Sequence, residues 1–217
     1  MTFNLNPFGP TDRPDNSFLI VIEGVIGVGK TSLAKLLADR LGGVLLLEQY
    51  EQNPFLQHFY QDPARWALHT QLSFILSRFR QQKQFFQQER EGQLVVADYS
   101  FIKDYLFAHM NLTGAELSLY DSLFDLMYPS IPRPDLVVYL KSDPDKVLQN
   151  IETRGRPFER EIDRDYILAL SDAYEEHFSA YNEIALLSID VTTDFVRDGR
   201  NFEKILSQIR DLLPQVM

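Results

Sequence analysis

The chain of 217 residues contains no cysteine. Disulfides, thiolate metal sites and a cysteine nucleophile are therefore excluded, and cysteine usage says nothing about compartment. Cationic side chains are also scarce, with 21 Lys and Arg against 31 Asp and Glu and a formal charge of -10. So acidic a chain lacks a general attraction for nucleic-acid polymers or anionic membranes, and any anion site has to be local. No apolar run approaches the roughly 18 residues of a membrane-spanning helix. The segment 1–17, with Pro7, Gly9, Pro10 and Pro14, has no basic stretch leading into an apolar one. We read residues 1–17 as a loose arm, residues 18–217 as one domain, and the protein as cytoplasmic.

What is present has an α/β rhythm. Phe18–Glu23, Val44–Leu47, Leu94–Ala97, Leu136–Leu140 and Ala185–Asp190 are short apolar runs, continuous rather than alternating. Strands buried on both faces of a parallel sheet look like this, so the expected fold is a three-layer α/β/α domain with five parallel strands. Helices are expected from Leu33 to Leu41, closed by Gly42-Gly43, and over Pro63–Glu91, Lys103–Met127, Asp165–Asn182 and Asn201–Leu213. The Gln-rich stretch Gln81–Gln88 continues a helix with Phe85 and Phe86 and reads as helix surface.

Between the first strand and the first helix stands Gly24-Val25-Ile26-Gly27-Val28-Gly29-Lys30-Thr31, which fits G-x-x-x-x-G-K-[ST] in its proper context. Its glycines let successive N–H groups point into one concavity, the helix adds its positive end, and Lys30 reaches for the terminal phosphates. These eight residues are the candidate site for ATP, and Thr31 is a candidate Mg2+ ligand.

Two carboxylates, Glu48 and Asp98, follow the second and third apolar runs, at the sheet edge where α/β proteins bind ligands. Either can hold Mg2+ or accept a proton from an attacking hydroxyl. Glu48 is a second candidate metal ligand. Further on, Arg154-Gly155-Arg156-Pro157-Phe158-Glu159 places two arginines at a helix-to-loop junction, a short lid that can neutralise a transferring phosphoryl group. Gln71 and Arg78, seven residues apart, share a helix face.

Together the phosphate loop, Glu48, Tyr60, Gln71, Arg78, Asp98, Asp104 and the Arg154–Arg156 lid with Glu159 resemble the deoxyribonucleoside kinase family over about Phe18 to Glu159. The resemblance implies that Glu48 and Asp98 engage the 5′-hydroxyl region with Asp98 the candidate base, that Tyr60 and Glu159 bind the sugar 3′-hydroxyl, and that Gln71 meets the base edge. It also implies that Arg78 with Asp104 forms the polar end of the base pocket, and that Arg154 and Arg156 embrace the donor phosphates. Phe74 and Phe101 are candidate stacking partners for the base. One departure stands out: where many relatives carry an acidic-Arg-Ser triplet, this chain has Asp98-Tyr99-Ser100. A tyrosine cannot supply that arginine's charge, and Lys103, Arg160 or Arg164 could compensate.

The expected reaction is ATP-dependent phosphorylation of a deoxynucleoside, with deoxyadenosine or deoxyguanosine favoured and deoxycytidine a further candidate. A thymidylate-kinase-like monophosphate kinase and a non-catalytic nucleotide-binding accessory protein stay open as alternatives. Glu48 at the acceptor end disfavours the first, because two negative groups would face each other there. The surplus of apolar side chains on the helices carrying Phe74, Phe79, Phe85, Phe86, Phe107, Leu117, Leu119 and Phe124 suggests a homodimer.

Overall fold

Burying β-branched runs on both faces leaves their backbone groups one outlet, hydrogen bonds to neighbouring strands, with helices covering each face. The computed structural model, which describes residues 17–88, 92–180, 184–191, 195 and 198–216, shows this arrangement. Strands β1 (Phe18–Gly24), β2 (Val44–Leu46), β3 (Leu94–Ala97), β4 (Leu136–Lys141) and β5 (Ala185–Asp190) form one sheet in the order β2-β3-β1-β4-β5. All four pairings are parallel, as expected, with Ile20 opposite Val96 on one side and Leu136 on the other.

The pleat sends alternate residues of β1 to opposite layers. Ile20 and Ile22 join Leu33 and Leu37 of helix α1 (Lys30–Leu41) in the largest core cluster. Leu19 and Val21 join Val95, Ala97 and Tyr99 against Phe85 and Phe86 on the other face. Those two phenylalanines end α3 (Pro63–Phe86), which follows the short α2 (Leu56–Gln61); Asp62 caps α3 by accepting from the Arg65 amide at 3.3 Å, with Pro63 at its first turn. A third cluster, around Phe59, Ile75, Phe101, Tyr120 and Phe124, ties these helices to α4 (Ile102–Asn111) and α5 (Gly114–Met127).

Two helix expectations need correction. Lys103–Met127 is not one helix: Leu112 and Thr113 are extended, and Gly114 adopts a φ of 56°. The turn lets α5 fold back so that Tyr120 and Phe124 bury against α4, which a continuous helix would forbid. The third helix ends at Phe86 rather than Glu91, and Glu91, like Asn182 at the expected end of a later helix, lies outside the described residues. The arm 1–17 is likewise outside them apart from Ser17.

Helix α6 (Pro144–Arg154) is capped by Asp143, which accepts from the Asp145 amide at 2.9 Å, and is stopped by Gly155 at a φ of 69°. A 3₁₀ turn (Pro157–Glu159) leads to α7 (Arg164–Ser179), and α8 (Gly199–Val216) closes the fold. Among the described residues no helix is long and apolar enough to cross a membrane.

Candidate active site

A cavity of about 790 Å³ opens at the carboxyl edge of the sheet, the edge that the strand order exposes beside the phosphate loop. Its wall includes Ile26 to Thr31, Glu48, Tyr60, Gln71, Arg78, Asp98, Arg154, Arg156 and Glu159. Nearly all the residues singled out in the sequence are thus gathered in one place. Asp104 stands behind Arg78 rather than in the wall, and is fully buried.

The phosphate loop is shaped by close packing as much as by glycine freedom. A Cβ on Gly27, whose φ is 83°, would lie 2.7 Å from Ile151 Cγ1 and 3.1 Å from the Val147 carbonyl oxygen of α6. Asn150, from the same helix, donates to the Gly27 carbonyl at 3.0 Å. Lys30 turns back and donates to the carbonyls of Gly24 and Val25 at 2.6 and 2.9 Å. Burial, aided by the charge of Lys103 and opposed by Glu23, Glu48 and Asp98, lowers its pKa to about 8.

At the acceptor end the carboxylates divide. Asp98 Oδ2 accepts from the Thr31 hydroxyl at 2.5 Å and Oδ1 from the Glu48 amide at 2.8 Å. The Glu48 side chain turns the other way: Oε1 pairs with Arg78 Nη2, and Oε2 accepts from Lys103 Nζ at 2.6 Å. Arg78 also pairs through Nη1 with Asp104, so four charged side chains from β2's end, α3 and α4 form one buried chain. Burial alone would raise the Glu48 carboxyl, yet Lys103 and Arg78 hold it well below the usual carboxylate range. Asp104 moves upward, to about 6, because burial outweighs the help of Arg78.

The lid arginines close on a carboxylate of their own. Glu159, 3% exposed, accepts from Arg154 Nη2 at 2.7 Å and from Arg156 Nη1 at 3.2 Å. The Arg156 guanidinium also lies 3.8 Å above the Tyr50 ring. Tyr60 stacks 6.2 Å from Phe158, and burial raises its hydroxyl well above its ordinary pKa, so it keeps its proton.

Phe74 lines the cavity with the Arg78 guanidinium 4.3 Å from its ring, but Phe101 does not. Phe101 is 2% exposed and stacks 5.4 Å from Phe124, so it is core. Tyr99 is core too, donating to Gln81 at 2.7 Å behind Arg78 and outside the cavity wall.

Sequence reasoning passed over Glu23, a wholly buried carboxylate that accepts from the Ser100 amide and hydroxyl at 2.6 Å and from Tyr174 at 3.0 Å. It braces the phosphate loop against the loop after β3. A lone carboxylate ending an otherwise apolar strand was the available signal. Tyr50 and Phe195, which also line the cavity, carried none.

A phosphate loop joined to a sheet edge that bears two carboxylates, with a paired-arginine turn across the cavity, defines a P-loop phosphotransferase. The chain belongs to the deoxynucleoside kinase family, whose sequence profile matches residues 20–214. It is 35% identical over 209 residues to a Bacillus subtilis deoxyadenosine/deoxycytidine kinase, covering 92% of this chain and 94% of that one. To the deoxyguanosine kinase of the same organism it is 33% identical, over 89% of this chain and 97% of the relative. Its fold matches a deoxyadenosine kinase from M. mycoides solved with dCMP and dCDP, with a TM-score of 0.78 at 22% identity, covering 89% of this chain and all of that one. Family membership, with the kinase names of its relatives, makes the chain a deoxynucleoside kinase, as expected, rather than a monophosphate kinase.

Proposed function

We propose that this chain transfers the γ-phosphoryl group of ATP to the 5′-hydroxyl of a deoxypurine nucleoside, with deoxycytidine as a further substrate. The observation that carries the acceptor assignment is Glu48, a largely buried carboxylate at the acceptor end of the cavity. A neutral hydroxyl suits that position, whereas the phosphate of a monophosphate would meet a second negative charge. The relatives' names, which include both purine deoxynucleosides and deoxycytidine, support the base range.

On the donor side, Lys30 would leave the Gly24 and Val25 carbonyls for phosphate oxygens, and loop N–H groups would cradle the rest. The Thr31 hydroxyl beside Asp98 offers the hard oxygen donors that Mg2+ takes, and Mg2+ needs only one or two from protein because it keeps waters and phosphate oxygens. Thr31 and Asp98 would hold the ion, which would supply positive charge against the developing charge of the transferred group. We therefore exchange the roles expected of the two carboxylates: Asp98 with Thr31 suits the metal side, and Glu48 suits the hydroxyl.

Positioning would do most of the work, as phosphoryl transfer needs little covalent help. Tyr60 and Glu159 would fix the sugar. Gln71 and Arg78, backed by Asp104, would meet the base against Phe74. Two buried polar atoms from residues of the cavity wall at that end, Thr70 Oγ1 and Arg78 Nε, have no protein partner among the described residues, which suits a polar base edge. Arg154 and Arg156 would swing from Glu159 to the donor phosphates as the sugar claims that carboxylate.

The working unit is proposed to be a cytoplasmic homodimer of the one domain 18–217. The phenylalanines that prompted the dimer mostly pack inward, Phe124 among them at 1% exposed. The same helices α3 and α5 instead leave Leu76, Leu119 and Leu126 exposed, Leu126 at 76%, a face suited to a second copy. A monomer in light scattering overturns the dimer. The reaction is tested by coupled ATP turnover with four deoxynucleosides and their monophosphates assayed separately. Turnover on a purine deoxynucleoside is expected, and turnover on monophosphates alone contradicts the proposal.

A further inference from the structure

Lys103 has no part in the reaction as described so far. It sits in the first turn of α4, only 7% exposed, and lines the same cavity as Lys30, Thr31, Glu48 and Asp98. Its ammonium donates to Glu48 Oε2 at 2.6 Å, and Glu48 is its one hydrogen-bond partner among the described residues. An ammonium has three donors, so the two not given to Glu48 are left for an occupant of the cavity that Lys103 lines. A merely structural partner for Glu48 is also unnecessary, because Arg78 already holds the other carboxylate oxygen.

The neighbouring charges sharpen this. Lys103 and Lys30 line the same cavity, so two ammonium groups border one region and repel each other. Two cations converging on a space bounded by phosphate-loop N–H groups suit an anion shared between them. Neither of the other two cations named from the sequence as stand-ins for the missing arginine serves there: Arg164 bonds to Asp145 at 3.1 Å on the surface, and Arg160 is exposed and outside the cavity wall.

We propose that Lys103 is a second phosphoryl-binding cation, which exchanges its bond to Glu48 for an oxygen of the transferred group as Glu48 receives the hydroxyl proton. The inference rests on the reading of Glu48 as the hydroxyl-facing carboxylate. In the step, the bond from the 5′-oxygen to the γ-phosphorus forms and the bond from that phosphorus to the β,γ-bridging oxygen breaks, its electron pair leaving on ADP. The 5′-hydroxyl proton passes to Glu48 Oε2, and Lys103 keeps all three of its own.

The test compares wild type, Lys103→Met and Lys103→Arg by calorimetric binding of the best deoxynucleoside and by kcat and KM between about pH 5 and 9. Thermal melting checks that each variant is folded, and Lys103→Gln replaces the methionine variant if that one is not. The expected result is a deoxynucleoside Kd within about threefold of wild type, with kcat lowered about 100-fold or more in Lys103→Met and at least about tenfold of that recovered in Lys103→Arg. A kcat within about threefold of wild type, or a Kd weakened as much as kcat falls, overturns the role of Lys103. A wild type that phosphorylates no deoxynucleoside overturns the proposed reaction, and this inference with it.

Discussion

The two ends of the cavity are built in different ways. At the donor end, recognition is mostly backbone: a loop of eight consecutive residues, held in shape by Gly27 against α6, with Lys30 resting on its own loop carbonyls. At the acceptor end it is mostly side chain, a buried chain of Asp104, Arg78, Glu48 and Lys103 drawn from three separate elements. A backbone cradle tolerates changes in side chains but not a new Cβ. A charge chain tolerates changes in shape but not the loss of a single charge, because an unpaired buried ion is left behind.

The sharpest way to break that comparison is Glu48→Gln. It removes the anion between two buried cations, so about 3–5 kcal/mol of stability should be lost in a denaturant melt. Turnover should fall by about 10²–10⁴ as the hydroxyl loses its acceptor. Gly27→Ala attacks the other end: the new Cβ meets Ile151 and Val147, and about 1–3 kcal/mol of strain is expected. In kinetics the KM for ATP should rise with the KM for the deoxynucleoside little changed, and a change confined to the deoxynucleoside would contradict the division.

A pH titration separates the ends by Lys30. Its pKa falls from 10.5 unfolded to about 8 folded, so between those values the unfolded chain holds more protons and stability should rise with pH. The gain is on the order of 3 kcal/mol and should be absent in Lys30→Met. Over the same range ATP should bind the free enzyme more weakly as Lys30 loses its charge. The smallest effect is expected from Tyr99→Phe, which removes the bond to Gln81 outside the cavity: about 1 kcal/mol of stability and a kcat within about threefold of wild type. A large loss of kcat there would mean that Tyr99 reaches the reacting groups.

The sequence disclosed the two ends unequally, for the same physical reason. The phosphate loop is contiguous, and its strand and helix flanks follow from hydrophobic periodicity, so Gly24 to Thr31 could be read directly. Glu48, Arg78 and Asp104 are up to 56 residues apart (104 − 48), and their convergence became visible only through family resemblance. What was not legible was direction. That Asp98 turns toward Thr31 while Glu48 turns toward Arg78 and Lys103 depends on side-chain geometry that no spacing encodes. The break at Leu112 to Gly114 was missed because Leu106, Leu117 and Phe124 keep an apolar pattern across it, and tertiary packing of α5 on α4 overrode the local reading.

The central claim is that the acceptor hydroxyl meets Glu48 while the donor phosphates meet Lys30, and a crystal structure with deoxyadenosine and a non-hydrolysable ATP analogue tests it most directly. The account predicts the 5′-oxygen within about 3 Å of a Glu48 carboxylate oxygen, and Lys30 moved from the Gly24 and Val25 carbonyls onto phosphate oxygens. A 5′-hydroxyl bound to Asp98, with Glu48 remote from the nucleoside, would contradict it.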